Sequence, residues 1–169
     1  MKTALKVATV LTWFNLVFWG LILVALFLGV LLTGQTVILA GVVLLSAIPL
    51  NCYAALKLHT SIRYARVPLS HQTPVGIRFV GLMALFFGFT FIFTGGQLFS
   101  NPKPGLEAFS QFTEQFVKPV QAKLTGLAMT FVRLLALAFL SLGVLVVVNV
   151  ILNLRLLRWY YLVRKSDVS

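Results

Sequence analysis

The sequence predicts an all-α fold: a polytopic membrane protein with a four-helix transmembrane bundle and an outer amphipathic helix. Composition is the first observation, because 60% of the 169 residues are hydrophobic and only 10% are charged. Soluble domains are nearer to half apolar and a quarter charged, so this chain has too little polar surface to cover itself in water. The second observation is a set of long uncharged stretches. The third is a basic charge that gathers on one side of them.

The uncharged stretches define the spans. No charged residue lies between Lys6 and Lys57, and a TGQT segment at 33–36 divides this interval. A helix needs about 20 residues to cross the hydrocarbon core, and open strands would leave backbone groups unpaired in lipid. The predicted single domain, 1–169, has spans at 7–32, 37–56, 79–99 and 134–154, a cytoplasmic loop at 57–78, an outer segment at 100–133 and a cytoplasmic tail at 155–169.

The basic residues indicate the orientation. One side of the membrane would carry Lys2, Lys6, Lys57, Arg63, Arg66, Arg78, Arg155, Arg158, Arg164 and Lys165, and the other side Lys103, Lys118 and Lys123. Cytoplasmic loops carry the excess of Lys and Arg, so we expect both termini in the cytoplasm and the protein in the plasma (inner) membrane. The net charge of +11 then reflects topology, and no soluble region remains to bind nucleic acid.

Arg133 stands inside the apolar stretch AMTFVRLLALAF at 128–139. The uncharged residues between Arg133 and Arg155 already cover a hydrocarbon thickness at about 1.5 Å per residue, which places Arg133 near the outer edge of the core. It would anchor the helix at the headgroups or, alternatively, face a cleft and bind an anion or a partner. Glu107 and Glu114 are the acidic residues of the outer segment, and we expect Arg133 to reach one of them or a headgroup phosphate.

The outer segment contains an amphipathic pattern. Its apolar residues recur at three- and four-residue steps, which is typical of one helix face; they are Leu106, Phe109, Phe112, Phe116 and Val120. Pro104 and Pro119 bracket the pattern. The pattern is compatible with two arrangements of this helix. It could lie on the outer leaflet with its phenylalanines in the acyl boundary, or it could fold back over the fourth helix through Leu124, Leu127 and Phe131.

Three asparagines are predicted to form a polar layer inside the membrane. Counted from the inner charged ends of their helices, Asn15, Asn51 and Asn149 lie at similar depths. Buried amides in lipid seek hydrogen-bond partners on neighbouring helices, so we expect these three to bond across helices or, alternatively, to line a pocket open to the cytoplasm. Pro49 lacks an amide hydrogen and should kink the second helix close to Asn51.

Small residues predict a packing stripe on the third helix. Gly81, Ala84, Gly88 and Gly95 lie close to one line along it. Such residues let helix backbones approach closely where lipid offers no hydrophobic driving force. The opposite face, with Phe86, Phe89 and Phe93, should contact lipid or a partner subunit.

The spans lack the residues that common chemistries need. Glu107, Glu114 and Asp167 are the acidic residues, and all lie outside the spans, whereas proton-coupled transport usually uses an intramembrane acid or histidine. His59 and His71 both fall in the predicted cytoplasmic loop, and Cys52 is the one cysteine. We therefore expect no metal site, no cofactor and no catalysis.

The function predicted from the sequence is binding. We expect an accessory subunit or partner-binding module that contacts the lipid bilayer and either a protein partner or further copies of itself within the membrane. The alternative is a small oligomeric channel or transporter in which Arg133 faces an anion pathway.

Overall fold

The structure is a computed structural model, and it describes residues 2–34, 36–64, 69–70, 72–114 and 118–166. Its elements are α1 Lys2–Thr33, α2 Thr36–Leu45, α3 Ala47–Arg63, α4 Gln72–Ser100, α5 Lys103–Thr113 and α6 Lys118–Ser166. None of these residues belongs to a strand. The predicted all-α fold class is therefore confirmed.

Four helical stretches in the described part of the chain are long and apolar enough to cross a membrane. They are Thr3–Leu32, Leu39–Arg63, Gln72–Ser100 and Leu127–Val163. Helices pair almost all of their backbone polar groups internally, which is the condition for stability in lipid. The chain thus has the architecture of a multi-pass membrane protein.

The helices extend beyond the apolar spans. α3 continues past Lys57 to Arg63, and α4 already begins at Gln72, so both ends of the predicted loop at 57–78 are helical. The ammonium group of Lys57 lies 4.7 Å from the centre of the Tyr53 ring on the preceding turn. A lysine can bend along its helix in this way and does not end it. Likewise, α6 includes much of the predicted outer segment and tail.

The second span loses one helical hydrogen bond at Pro49. α2 ends at Leu45 and α3 begins at Ala47, with Ser46 between them in a turn. Pro49 has no amide hydrogen to give to the Leu45 carbonyl four residues earlier. The Ser46 hydroxyl donates to the Val43 carbonyl oxygen at 2.6 Å. Backbone hydrogen bonds continue through Ser46: its amide donates to the Val42 carbonyl oxygen at 3.0 Å, and its carbonyl oxygen accepts from the Leu50 amide at 3.0 Å.

Gly34 makes the tight turn between α1 and α2. Its φ angle is +66°, in the left-handed region that side chains disfavour and glycine adopts freely. The Gly34 amide donates to the Val30 carbonyl oxygen at 2.8 Å and closes the last turn of α1. The predicted turn at 33–36 therefore depends on its glycine.

The helices form two compact units, residues 1–87 with 145–169 and residues 88–144. In the first unit, a buried core takes residues from α1, α3, α4 and α6, namely Ala8, Leu58, Ile77, Leu156 and Leu157. In the second unit, the later part of α4 packs against the earlier part of α6, and Phe91 stacks on Phe139 with ring centres 5.8 Å apart.

Candidate functional site

The first unit contains a buried set of polar side chains, which we call the polar cluster: Thr9, Thr12, His59, Asn149 and Asn153. The last four are at most 3% exposed, and Thr9 is half-buried. They come from α1, α3 and α6, so their side chains meet from three different helices. Residues three or four apart share a helix face, which is why the two threonines, and likewise the two asparagines, point the same way.

Asn149 is the centre of the polar cluster. Its Oδ1 accepts hydrogen bonds from the Thr12 hydroxyl at 2.7 Å and from Asn153 Nδ2 at 3.2 Å. Its Nδ2 donates to Cys52 Sγ at 3.5 Å. Asn153 Nδ2 also reaches the Thr12 hydroxyl oxygen at 3.3 Å. One amide therefore connects α1, α3 and α6.

His59 completes the polar cluster on α3. Its Nε2 lies 2.8 Å from Asn153 Oδ1, and because that oxygen only accepts, Nε2 carries the hydrogen. Its Nδ1 lies 3.3 Å from the Thr9 hydroxyl oxygen, and this hydroxyl is also 2.7 Å from the Leu5 carbonyl oxygen. Rotation of one hydroxyl thus suits either form of the ring: neutral His59 accepts from Thr9, and protonated His59 donates to it.

His59 lies in a helix and not in the predicted loop at 57–78. It belongs to α3 and is 3% exposed, in a helical stretch, Leu39–Arg63, that is long and apolar enough to cross a membrane. The predicted span ends just before Lys57, and α3 continues as a helix through Lys57 to Arg63. The other histidine of that loop, His71, lies outside the described residues.

The three predicted asparagines are all buried, but they do not bond to one another in the described residues. Asn15 Nδ2 donates to the Leu11 carbonyl oxygen of its own helix at 2.9 Å. Asn15 Oδ1 and both polar atoms of Asn51 have no hydrogen-bond partner among the described protein atoms. Asn149 makes the bonds across helices, and it makes them to Thr12 and Cys52. Sequence reasoning overlooked Asn153, although its spacing of four from Asn149 was visible.

The predicted packing stripe is buried. In the first unit, Gly81 lies against Asn51 and Val150, and Ala84 is 0% exposed. In the second unit, a methyl group at Gly95 would come within 2.8 Å of the Ala136 carbonyl oxygen.

Gly88, also in the second unit, presents its carbonyl oxygen to Gly143, where a methyl group would lie 2.7 Å away. Phe86, Phe89 and Phe93 are each more than half exposed on the other face.

In the second unit, α5 packs on α6. The Phe109 and Phe131 rings lie 5.1 Å apart at 41°, and a methyl group at Gly105 would lie 2.8 Å from Val132 Cγ1. These contacts correspond to the fold-back arrangement. Of the other apolar residues in the pattern, Leu106 is half-buried, Phe116 lies outside the described residues, and the side chains of Phe112 and Val120 are likewise not described.

Pro119 does not end the amphipathic helix as predicted. α5 ends at Thr113, and Pro119 is the second residue of α6. Proline fits the first turn of a helix, where its missing amide hydrogen would have no partner. Pro104 occupies the equivalent position at the start of α5.

Arg133, Glu107 and Glu114 are all exposed. We expected Arg133 to reach one of these carboxylates or a headgroup phosphate; the described residues contain no ion pair between Arg133 and either carboxylate, and the headgroup contact stays a prediction. The Arg133 guanidinium is thus left to lipid, solvent or a partner. Nor do the described ranges contain a group of three or more His, Cys, Asp or Glu side chains placed to hold a metal ion.

The long apolar helices and the polar cluster between them define a class: multi-pass helical membrane proteins with a polar interior. No family model, curated protein or solved structure matches the chain.

Proposed function

We propose that the protein is a small integral membrane protein that acts as an accessory subunit or partner-binding module, without catalysis of its own. The observation that supports the proposal is the packing of α5 against α6. Phe109 and Gly105 pack on α6, and this contact leaves Glu107, Ser110 and Gln111 exposed. A short polar helix face fixed by a packed apolar face offers a partner a preorganised surface, which lowers the entropy cost of binding.

The polar cluster supports a scaffold role for the first unit. Its hydrogen bonds join α1, α3 and α6, and such bonds contribute about 1 kcal/mol each between helices in lipid. Most of its donors and acceptors are used within the protein. A group that already has its partners is better suited to fixing the helix arrangement than to binding a changing substrate.

We place the protein in the plasma (inner) membrane with both termini in the cytoplasm and α5 on the outer side. The support is the distribution of basic residues, which concentrate around the chain termini and the α3–α4 connection, where the positive-inside rule expects them. In this orientation α5 would meet partners at the outer surface.

Photo-crosslinking in native membranes tests the proposal. A photoreactive residue at Gln111 on the exposed face of α5 should give a discrete protein adduct. The same residue at Phe93, which is 66% exposed on an apolar face of α4, should give lipid adducts. Phe109→Ala should weaken the Gln111 adduct several-fold, because it removes the ring contact that holds α5. Lipid adducts alone at both positions would contradict a partner at α5.

The second candidate function is an anion channel or transporter. It is favoured by the exposed Arg133 guanidinium, which no carboxylate among the described residues neutralises. Anion flux into liposomes containing the pure protein tests it. A flux that falls at least tenfold in Arg133→Gln, but not in an Arg155→Gln control, would support this candidate over the binding module, whereas the binding module predicts no protein-dependent flux.

A further inference from the structure

In the first unit, a groove of about 430 Å³ opens between α4 and α6 near the basic end of these helices. Its lining residues are Arg78, Leu154, Leu157, Arg158, Tyr161 and Leu162. The two arginines come from different helices, and both side chains are exposed. Two arginines from different helices therefore border the same groove.

The described residues of the first unit supply no acidic side chain to balance the charge around this groove. The same residues include several basic side chains: Lys6, Lys57, Arg63, Arg78, Arg155 and Arg158. A cleft lined by charges of one sign attracts ligands of the opposite sign. The two exposed arginines therefore favour an anionic ligand in this groove.

The rest of the lining is apolar. Leu157 is 2% exposed, whereas Leu162 is 62% exposed. The leucines of the groove therefore extend from the buried core of the unit to its exposed surface. Tyr161 is 43% exposed, and aromatic rings of this kind lie at the level of the headgroups. A ligand that fills the groove needs an anionic head for the arginines and a hydrocarbon part for the leucines.

We propose that this groove, the Arg78–Arg158 groove, binds an anionic phospholipid. Arginine guanidinium groups make paired, charge-assisted hydrogen bonds to phosphate oxygens. Basic pockets between transmembrane helices are known to bind lipid headgroups. A volume of about 430 Å³ accommodates a headgroup and the start of an acyl chain. This inference does not depend on the proposed partner-binding function.

The experiment uses the full chain in mild detergent, with lipid binding followed by native mass spectrometry. Phosphatidylglycerol should bind at least tenfold more tightly than phosphatidylcholine with the same acyl chains. Inorganic phosphate at millimolar concentration should not displace it, because free phosphate gains nothing from the leucines. Equal binding of the two lipids, or displacement by phosphate, would overturn the proposal.

Three variants locate the site. Arg78→Gln and Arg158→Gln should each weaken phosphatidylglycerol binding about tenfold, and Arg158→Lys should lose part of the affinity because it keeps the charge without the fork. Arg155→Gln is the matched control, since it removes an exposed arginine of the same helix that does not line the groove. An equal loss in Arg155→Gln would mean diffuse charge attraction and would overturn the site. The unfolding temperature without lipid checks that each variant is folded.

Discussion

At the residue scale, Asn51 and Asn149 are equally buried but differ in their hydrogen bonds. Both are 1% exposed. Asn149 uses its oxygen and its nitrogen in bonds to α1, α3 and its own helix, whereas neither polar atom of Asn51 has a described protein partner. A buried amide stabilises a fold when it is paired and costs free energy when it is not.

This difference predicts opposite effects of the same substitution. Asn149→Leu should lower the free energy of unfolding by about 1–2 kcal/mol, because it removes the acceptor of Thr12 and Asn153. Asn51→Leu, the matched control, should be neutral or stabilising, since leucine has a similar shape and no unpaired polar atom. Unfolding of the purified variants in detergent measures both. A large loss for Asn51→Leu would show that its amide has a partner, such as a bound water.

For the polar cluster, the sequence predicts which asparagines are buried but not which residues they bond to. The burial of the asparagines follows from their positions in apolar stretches. Their partners depend on the rotation and register of neighbouring helices, which one sequence does not determine. The helical position of His59 was not predicted for a different reason: the charge of Lys57 indicates the end of a span, but α3 continues through Lys57, whose side chain lies along the helix over Tyr53.

At the element scale, close helix contacts depend on particular glycines and not on glycine content. Gly95 and Gly96 are neighbours on α4, yet a methyl group at Gly95 would come within 2.8 Å of the backbone of Ala136 and Leu140, and one at Gly96 would meet no atom within 4 Å. The stripe proposed from the sequence includes the first of these and omits the second. Helical periodicity was therefore sufficient to separate them.

The two glycines make a matched pair of variants. Gly95→Ala should lower the free energy of unfolding by about 1–3 kcal/mol, because backbone atoms of α6 cannot move aside cheaply. Gly96→Ala should be neutral or slightly stabilising, since alanine favours the helix and nothing obstructs it. The unfolding midpoints of the two variants in detergent check this. Equal midpoints would mean that α4 and α6 are not in close contact at Gly95.

The amphipathic helix α5 marks another limit at the element scale. The apolar spacing around Phe109 predicted a helix with one apolar face, and α5 is such a helix. The sequence did not determine whether the apolar face contacts lipid or a neighbouring helix, because phenylalanine packs equally well against either. The contact between Phe109 and Phe131 is a tertiary feature that the periodicity of a single segment does not contain.

At the scale of the whole molecule, the long uncharged stretches were sufficient to predict the all-α class and four helical stretches able to cross a membrane. Apolar stretches of this length have few alternatives in lipid. The helix ends were less predictable: α3 passes through Lys57 and α6 extends well before Arg133. Charged residues mark where the hydrocarbon ends, but a helix continues for as long as its backbone bonds are satisfied, in lipid or out of it.

The central proposal is that the chain crosses the membrane with its basic connections inside and α5 outside. Single cysteines at Ser70 and Ser110, both exposed, test it most directly with a membrane-impermeant maleimide on intact cells. The wild-type protein is the control, because its Cys52 is 0% exposed. Ser110→Cys should be labelled in intact cells and Ser70→Cys only after permeabilisation. Labelling of Ser70→Cys in intact cells, with Ser110→Cys protected, would contradict the account.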